Sequence, residues 1–144
     1  MSCSLDVTKI APGVYQGSAP PGGLEVRNCG FDALVLTAQE YQPPSGAYPG
    51  VDVLRAPIND GELTWREWDA CVHVAQNTAA RVLEGQRVLI TCFMGRNRSG
   101  LVTVLTLHML TGKRSDLLVK HVQQHRRGAL TNSSFVRALK VYAG

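Results

Sequence analysis

One stretch narrows what this chain can fold into more than any other: Val88 to Gly100, reading V-L-I-T-C-F-M-G-R-N-R-S-G. Val88, Leu89, Ile90 and Thr91 are apolar or β-branched, the pattern of a short buried strand. Cys92 follows, then a five-residue loop of Phe93, Met94, Gly95, Arg96 and Asn97, with glycine at its centre. After Arg98, Ser99 and Gly100, the apolar residues Leu101, Val102, Leu105 and Met109 mark one face of a helix. A strand that delivers a cysteine into a tight loop at a helix N-terminus makes an anion site with a nucleophile at its base. The loop's N–H groups point inward, and the helix dipole adds partial positive charge. The same features favour a thiolate, so Cys92 is expected to be partly or wholly ionised at neutral pH. Arg98 offers a planar fork matched to two oxygens of a phosphate group. A cysteine that merely packs has no need of Gly95 and Arg98 at these offsets.

The 144 residues are one domain's worth, 1–144, and enough to bury a core. With 44% hydrophobic and 18% charged residues, the composition is that of an ordinary soluble globular protein. A net charge of +4 favours anionic partners without demanding nucleic acid. Cys3, Cys29, Cys71 and Cys92 show no C-x-x-C spacing, so neither a zinc cluster nor a disulfide scaffold is expected and all four read as unpaired. A catalytic thiolate would be oxidised outside a reducing compartment, which points to the cytoplasm. The N-terminus, M-S-C-S-L-D-V-T-K-I, lacks the basic flank and apolar run of a signal peptide, and no run is long enough for a membrane span. A monomer is expected.

Taken in order, Ile10 to Gly17 reads as an extended entry, a turn at Pro12-Gly13 and a short edge strand. Pro20 to Gly23 is a turn before a short helix around Leu24 to Cys29, and Phe31 to Thr37 is a buried strand. Gln42 to Gly50 is a loop, and Val51 to Ala56 a third strand that ends at Pro57. Thr64 and Glu67 form a capping-box pattern, with Gly85 placed to end the helix they begin. Its apolar stripe is Trp65, Trp68, Val72, Ala75, Ala79 and Val82, which puts both tryptophans in the core, with Cys71 beside them as a small buried hydrophobe. Thr111-Gly112-Lys113 is a tight connection to a helix over Ser115 to Arg127 with Leu118, Val119 and Val122 inward. His121 and His125 stand one helical turn apart but lack a third ligand, so they read as solvated residues. A last helix starts near Asn132 and packs through Phe135, Val136, Leu139 and Tyr142. Strands alternating with helices predict an α/β fold. It is a three-layer sandwich with a central, mostly parallel sheet of about four to five strands flanked by helices. The thiol loop falls at the C-terminal end of a strand, where such sheets bind ligands.

Cys92, Gly95, Arg98 and Ser99 resemble the C-x-x-G-x-x-R-S signature of the cysteine-dependent protein phosphatases, in a small atypical form of the dual-specificity type. The resemblance extends from Pro12, Gly13, Tyr15, Gly17 and Ser18, similar to an opening P-G-L-Y-L-G-S, to a tail where Asn132, Phe135 and Leu139 fall on R-P-x-x-x-P-N-x-x-F-x-x-x-L. It implies a two-step hydrolysis through a cysteinyl-phosphate, with Cys92 as nucleophile and residues 93–98 as the phosphate loop. Asp60, in the loop segment A-P-I-N-D-G and 32 positions before Cys92, resembles the general acid. Ser99 would donate to the departing thiolate, and Asn132 would support the loop. No metal or cofactor is required, because the loop amides and Arg98 carry the electrostatics. Two positions depart from the pattern. Thr131 stands where a proline is usual, and Thr91 where a histidine normally precedes and braces the nucleophile.

The longer tyrosine-specific relatives carry an extra loop that deepens the pocket, and nothing here resembles it. The resemblance therefore implies a shallow pocket for phosphotyrosine and phosphoserine or phosphothreonine in proteins. Relatives acting on RNA 5′ ends share the string seen here as Gly95, Asn97, Arg98, Ser99 and Gly100, but with a histidine in place of Met94. Phosphoinositide-acting relatives place a base at the position of Arg96. A phosphate-binding module without turnover is the remaining reading, and it leaves the joint presence of Cys92, Arg98 and Asp60 without a purpose.

Overall fold

The computed structural model describes residues 3–144; Met1 and Ser2, where the N-terminal reading begins, lie outside the described residues. The chain runs β1 (Val7–Ala11), β2 (Val14–Gly17), α1 (Glu25–Asn28), β3 (Ala33–Ala38), a 3-10 turn (Ser45–Ala47) and β4 (Asp52–Ile58). It continues through α2 (Trp65–Leu83), β5 (Val88–Thr91), α3 (Arg98–Thr111), α4 (Ser115–His125) and α5 (Ser133–Ala143). The five strands form one sheet in the order β1-β2-β5-β3-β4, parallel throughout except for the β1–β2 hairpin. This is the expected α/β fold with a mostly parallel sheet.

Val14–Gly17 was expected at an edge and is not there: β1 takes the edge and β2 lies between β1 and β5, with Val14 beside Val88 and Gly17 beside Thr91. The sequence before Pro12 alternates too weakly to announce a strand. Its consequence is that Gln16 and Gly17 are buried next to the thiol loop.

Every residue of β3 and β5 is buried, and their side chains still alternate between two cores. Ala33, Val35, Val88 and Ile90 join the cluster under α2–α5, while Leu34, Leu36 and Leu89 join Val26, Phe31 and Tyr48 on the other face. At the end of β5 the Thr37 hydroxyl donates to the Thr91 carbonyl, and the Thr91 hydroxyl donates to the Val35 carbonyl, each at 2.7 Å. These two bonds hold the strand ends level where the loop begins.

The capping box of α2 is complete: Glu67 N–H donates to Thr64 Oγ1 at 3.2 Å, and Thr64 N–H to Glu67 Oε1 at 3.0 Å. Gly85 just past the helix adopts φ +85°, which ends the helix as the sequence predicts. The buried face is turned from the expected one and centres on Cys71, Val74, Ala75, Thr78 and Ala79. Thr78 was passed over as polar, but its hydroxyl donates to Val74 O inside the helix and leaves a methyl to pack. Trp65 is not in the core: it is 74% exposed. At the first helical position its side chain leans back past the packed turns. Trp68 is half-buried, edge-on to Tyr142 with ring centroids 5.2 Å apart.

The helix after the loop was expected to bury one face, yet α3 is buried on all sides from Arg98 to Leu107. It is the central helix, and Thr103 and Thr106 fit there because their hydroxyls return to Ser99 O and Val102 O. In α4, Leu118, Val119 and Val122 face inward, and His121 Nε2–H donates to the Ile10 carbonyl at 2.7 Å. In α5, Phe135 and Leu139 are buried, and Asn132 caps the helix by accepting from Phe135 N–H.

The cysteines depart from the expectation of four free thiols. Cys3 and Cys29 form a disulfide that ties the segment before β1 to the end of α1. Their 26-residue separation carries no spacing signal, because the two segments meet only in the folded chain. Cys71 and Cys92 are free and buried, and burial pushes the Cys71 thiol up to about 12. Among the described residues no helix is long and apolar enough to cross a membrane.

Phe135→Ala should show how much α5 anchors the domain. The ring is fully buried against the main core, so its removal is expected to destabilise by about 3–5 kcal/mol. The corresponding fall in Tm is roughly 10 °C. A urea or thermal titration measures it, and a fall under about 1 kcal/mol would mean that the site collapses around the cavity.

Candidate active site

The loop between β5 and α3 takes its shape from behind. The Phe93 carbonyl accepts from Ala19 N–H at 3.2 Å, and the Met94 carbonyl from Arg126 Nη2 at 3.3 Å. The Gly95 carbonyl accepts from Gln16 Nε2 at 3.0 Å and from Arg126 Nε, and the Arg96 carbonyl from Leu130 N–H at 3.3 Å. Four successive carbonyls thus point away from the centre. The N–H groups of residues 93–97 donate to no backbone carbonyl among the described residues, which leaves them available to an anion. Gly95, at φ +70°, is required by contact as well as by conformation. A Cβ there would lie 2.4 Å from the carbonyl carbon of Gly17.

Cys92 sits at the base, 4% exposed, with Sγ 3.3 Å from Ser99 Oγ. Arg98 is 6% exposed. Its Nη1 donates to Glu40 Oε1 at 2.5 Å and to the Ile58 carbonyl at 3.1 Å, and its Nη2 to Glu40 Oε2 at 2.8 Å. The pair holds the Glu40 carboxyl down at about 2, chiefly through the hydrogen bonds from Arg98, and raises the already high pKa of Arg98. Arg98 Nε has no hydrogen-bond partner. One edge of the guanidinium is therefore occupied, and the other edge, Nε–H with the second N–H of Nη2, is unpaired.

Asp60 stands across the opening, gripped by two amides. Asn132 Nδ2 donates to Oδ1 at 3.0 Å, and Asn97 Nδ2 to Oδ2 at 3.2 Å. Asn97 also accepts from the backbone N–H of Thr131 at 2.7 Å and of Asn132 at 3.0 Å. The loop, the Asp60 segment and the start of α5 are thereby joined through one side chain. A cavity of about 200 Å³ lies among Asp60, Cys92, Asn97, Arg98 and Thr131. Phe93, Met94 and Arg96 complete its lining, Phe93 and Met94 each about half exposed. Arg96 is exposed, with its stem passing over Gly128.

Of the residues singled out in the sequence, the fold gathers Cys92, Arg98, Ser99, Asp60, Asn132 and the loop residues 93–97 at one end of β5. Thr91 is placed differently: its hydroxyl proton goes to β3, so it braces the sheet and not the loop. Three contributors lay outside the sequence reading. Gln16 and Arg126 hold the loop carbonyls, Arg126 itself being paired with Asp6 at 2.7 Å. Glu40 holds Arg98. The available cue for Glu40 was its position just past β3, the strand beside β5, which puts it at the same sheet edge as the thiol.

No family model matches the chain, and no curated protein matches it in sequence. Solved structures do. Human DUSP28 superposes with a TM-score of 0.80 at 27% identity, over 95% of this chain and 92% of that one. A mouse protein assigned to the dual specificity phosphatases, crystallised with zinc tungstate, gives 0.82 at 26%, over 99% and 89%. Tk-PTP in its active form gives 0.79 at 24%, over 94% and 97%, a likeness of fold.

Proposed function

We propose that this chain, a small member of the dual-specificity phosphatase type, hydrolyses phosphate monoesters through a phosphocysteine on Cys92. The observation that carries the reading is the unpaired Arg98 Nε at the wall of a cavity floored by Cys92 and the loop amides. A buried donor without a partner costs about 1–3 kcal/mol, and a phosphate oxygen removes that cost.

In the first step the Cys92 thiolate attacks phosphorus, the P–O bond to the leaving group breaks, and Asp60 gives that oxygen its proton. The loop amides and Arg98 hold the three equatorial oxygens as charge gathers on them. In the second step water attacks phosphorus, Asp60 takes its proton, and the P–S bond breaks with its electrons returning to sulfur. Ser99, 3.3 Å away, donates to that thiolate. A reducing compartment such as the cytoplasm suits a thiol used in this way, whereas the Cys3–Cys29 disulfide is of a kind that persists in oxidising surroundings. The substrates that best suit a small, open cavity with Phe93 and Met94 at its rim are phosphotyrosine and phosphoserine or phosphothreonine in proteins. Turnover of phosphotyrosine, phosphothreonine, phosphoinositide and RNA 5′-triphosphate by the same preparation tests this. A clear preference for either of the last two would move the substrate class, and no turnover of any would overturn the reading.

Asp60→Asn should divide substrates by leaving group. Esters with poor leaving oxygens are expected to slow by about a hundredfold or more, and those with good ones far less, because only the former need the proton. Equal slowing of both, in a kcat series over aryl phosphates, would remove Asp60 from the acid role.

A further inference from the structure

Arg126 is 9% exposed and reaches the thiol loop with two nitrogens, Nε to the Gly95 carbonyl and Nη2 to the Met94 carbonyl. A guanidinium so deeply placed needs a counter-charge, and among the described residues its carboxylate partner is Asp6. Asp6 Oδ2 accepts from Nη2 at 2.7 Å and Oδ1 from Nη1 at 3.2 Å. These bonds from Arg126 hold the Asp6 carboxyl below its ordinary pKa. The Asp6 carbonyl also accepts from Ser18 N–H at 3.2 Å, just past β2. Asp6 therefore stands between the segment before β1 and the back of the loop.

Upstream of Asp6 the chain is held by little besides one covalent bond. Residues 3–5 make no backbone hydrogen bond among the described residues, and of the three only Leu5 packs on a core cluster. Cys3, three positions before Asp6, is joined to Cys29 at the end of α1. Both cysteines are only partly buried, and Ser4, Asn28 and Gly30 beside them are exposed, so a thiol reagent can reach the bond.

We infer that Cys3–Cys29 is a redox modification site for a dithiol reductant, and that the state of this bond sets how firmly Asp6 and Arg126 hold the phosphate loop. In the exchange, one thiolate of the reductant attacks a cysteine sulfur, and the S–S bond breaks with its electron pair on the other. The reductant's second thiolate then displaces the mixed disulfide. Two electrons and two protons pass to the cysteines, which become thiols, and the dithiol becomes a disulfide. Release of residues 3–5 loosens Asp6, and the buried charge of Arg126 loses the carboxylate that fixes it against Gly95. The inference rests on the phosphatase reading only in its kinetic readout, since inorganic phosphate probes the loop without turnover.

The test follows the wild-type chain, oxidised and then reduced with dithiothreitol, in affinity for inorganic phosphate, in kcat/KM for an aryl phosphate, and in Tm. Alkylation followed by mass measurement should find two further thiols after reduction. Phosphate should then weaken about fivefold, at the low end of ordinary coupling between two sites, and kcat/KM should fall by at least as much. Linkage is reciprocal, so saturating phosphate should make the bond harder to reduce by the same factor, about 20 mV for a two-electron couple. In Asp6→Asn, reduction should still lower Tm but change phosphate affinity by less than about twofold. The double variant Cys3→Ser, Cys29→Ser should match reduced wild type with or without reductant. If reduction lowers Tm and leaves phosphate affinity and kcat/KM in place, the bond only staples the fold and the inference is wrong. It is equally wrong if reductant alters the double variant, because the effect then lies at Cys92, or if Asp6→Asn responds as fully as wild type. A wild type that turns over no phosphate ester would count against the phosphatase reading instead, and the phosphate titrations would still decide the part played by the disulfide.

Discussion

Cys92→Ser should abolish turnover while leaving the fold and phosphate affinity in place. Nothing in the loop's architecture depends on sulfur: its carbonyls are held by Ala19, Gln16, Arg126 and Leu130, and Arg98 by Glu40 and Ile58. A serine hydroxyl fits the same space, but its proton is held far too tightly for it to act as a nucleophile at neutral pH without an adjacent base. The expected loss is at least about a thousandfold in kcat, near 4 kcal/mol, with inorganic phosphate binding within a few-fold of wild type. Residual turnover above about a thousandth of wild type would sink the covalent route. Loss of phosphate binding together with turnover would mean that the thiolate, and not the cradle, sets affinity.

Arg98→Lys is the companion case, in which charge is kept and geometry removed. The arginine meets three acceptors on one side and keeps a second edge free toward the cavity. An ammonium is a single point with three donors and cannot span both sides. In that place it would either follow Glu40 or follow the phosphate. The other partner would be left unpaired, and either outcome weakens the transition state. A fall of roughly a hundredfold in kcat/KM, near 2.7 kcal/mol, is expected. A fall of less than about tenfold would show that charge alone suffices and that the planar fork is incidental. Measuring Arg98→Lys beside Glu40→Ala, and the two combined, gives their coupling directly, since the pair is in contact and their effects should not add.

The parts of this molecule that the sequence announced are those whose cause is local. The nucleophile, the loop, Arg98 and Ser99 lie within eight consecutive positions, and strand, turn and helix each leave a mark on their own residues. The capping box of α2 and the asparagine cap of α5 are likewise settled within four residues. What escaped notice acts over distance. Glu40 is 58 positions from Arg98, Gln16 is 79 from Gly95, and Arg126 is 31 from Gly95. No pattern in a single sequence reports such pairings. The misjudged faces of α2 and α3 have a different origin. Thr78, Thr103 and Thr106 are polar in composition, but each returns its proton to its own helix and then packs as a hydrophobe. Trp65 erred in the opposite sense, as an apolar residue at a helix position that overhangs the core.

The bracing of the loop from behind has a consequence for how affinity arises. Fixing a residue's backbone costs about 1–2 kcal/mol in lost freedom, and a loop that closed only around its ligand would bear that cost at every binding event. Here the outward carbonyls are already held by β2, Arg126 and the chain before α5. The ordering is completed when the protein folds, once, and an arriving anion meets amides that no longer need to be arranged. Association should accordingly carry little entropic penalty from the backbone. A calorimetric titration with phosphate should find exchange of solvent and charge, not chain ordering, as the main source of its entropy change.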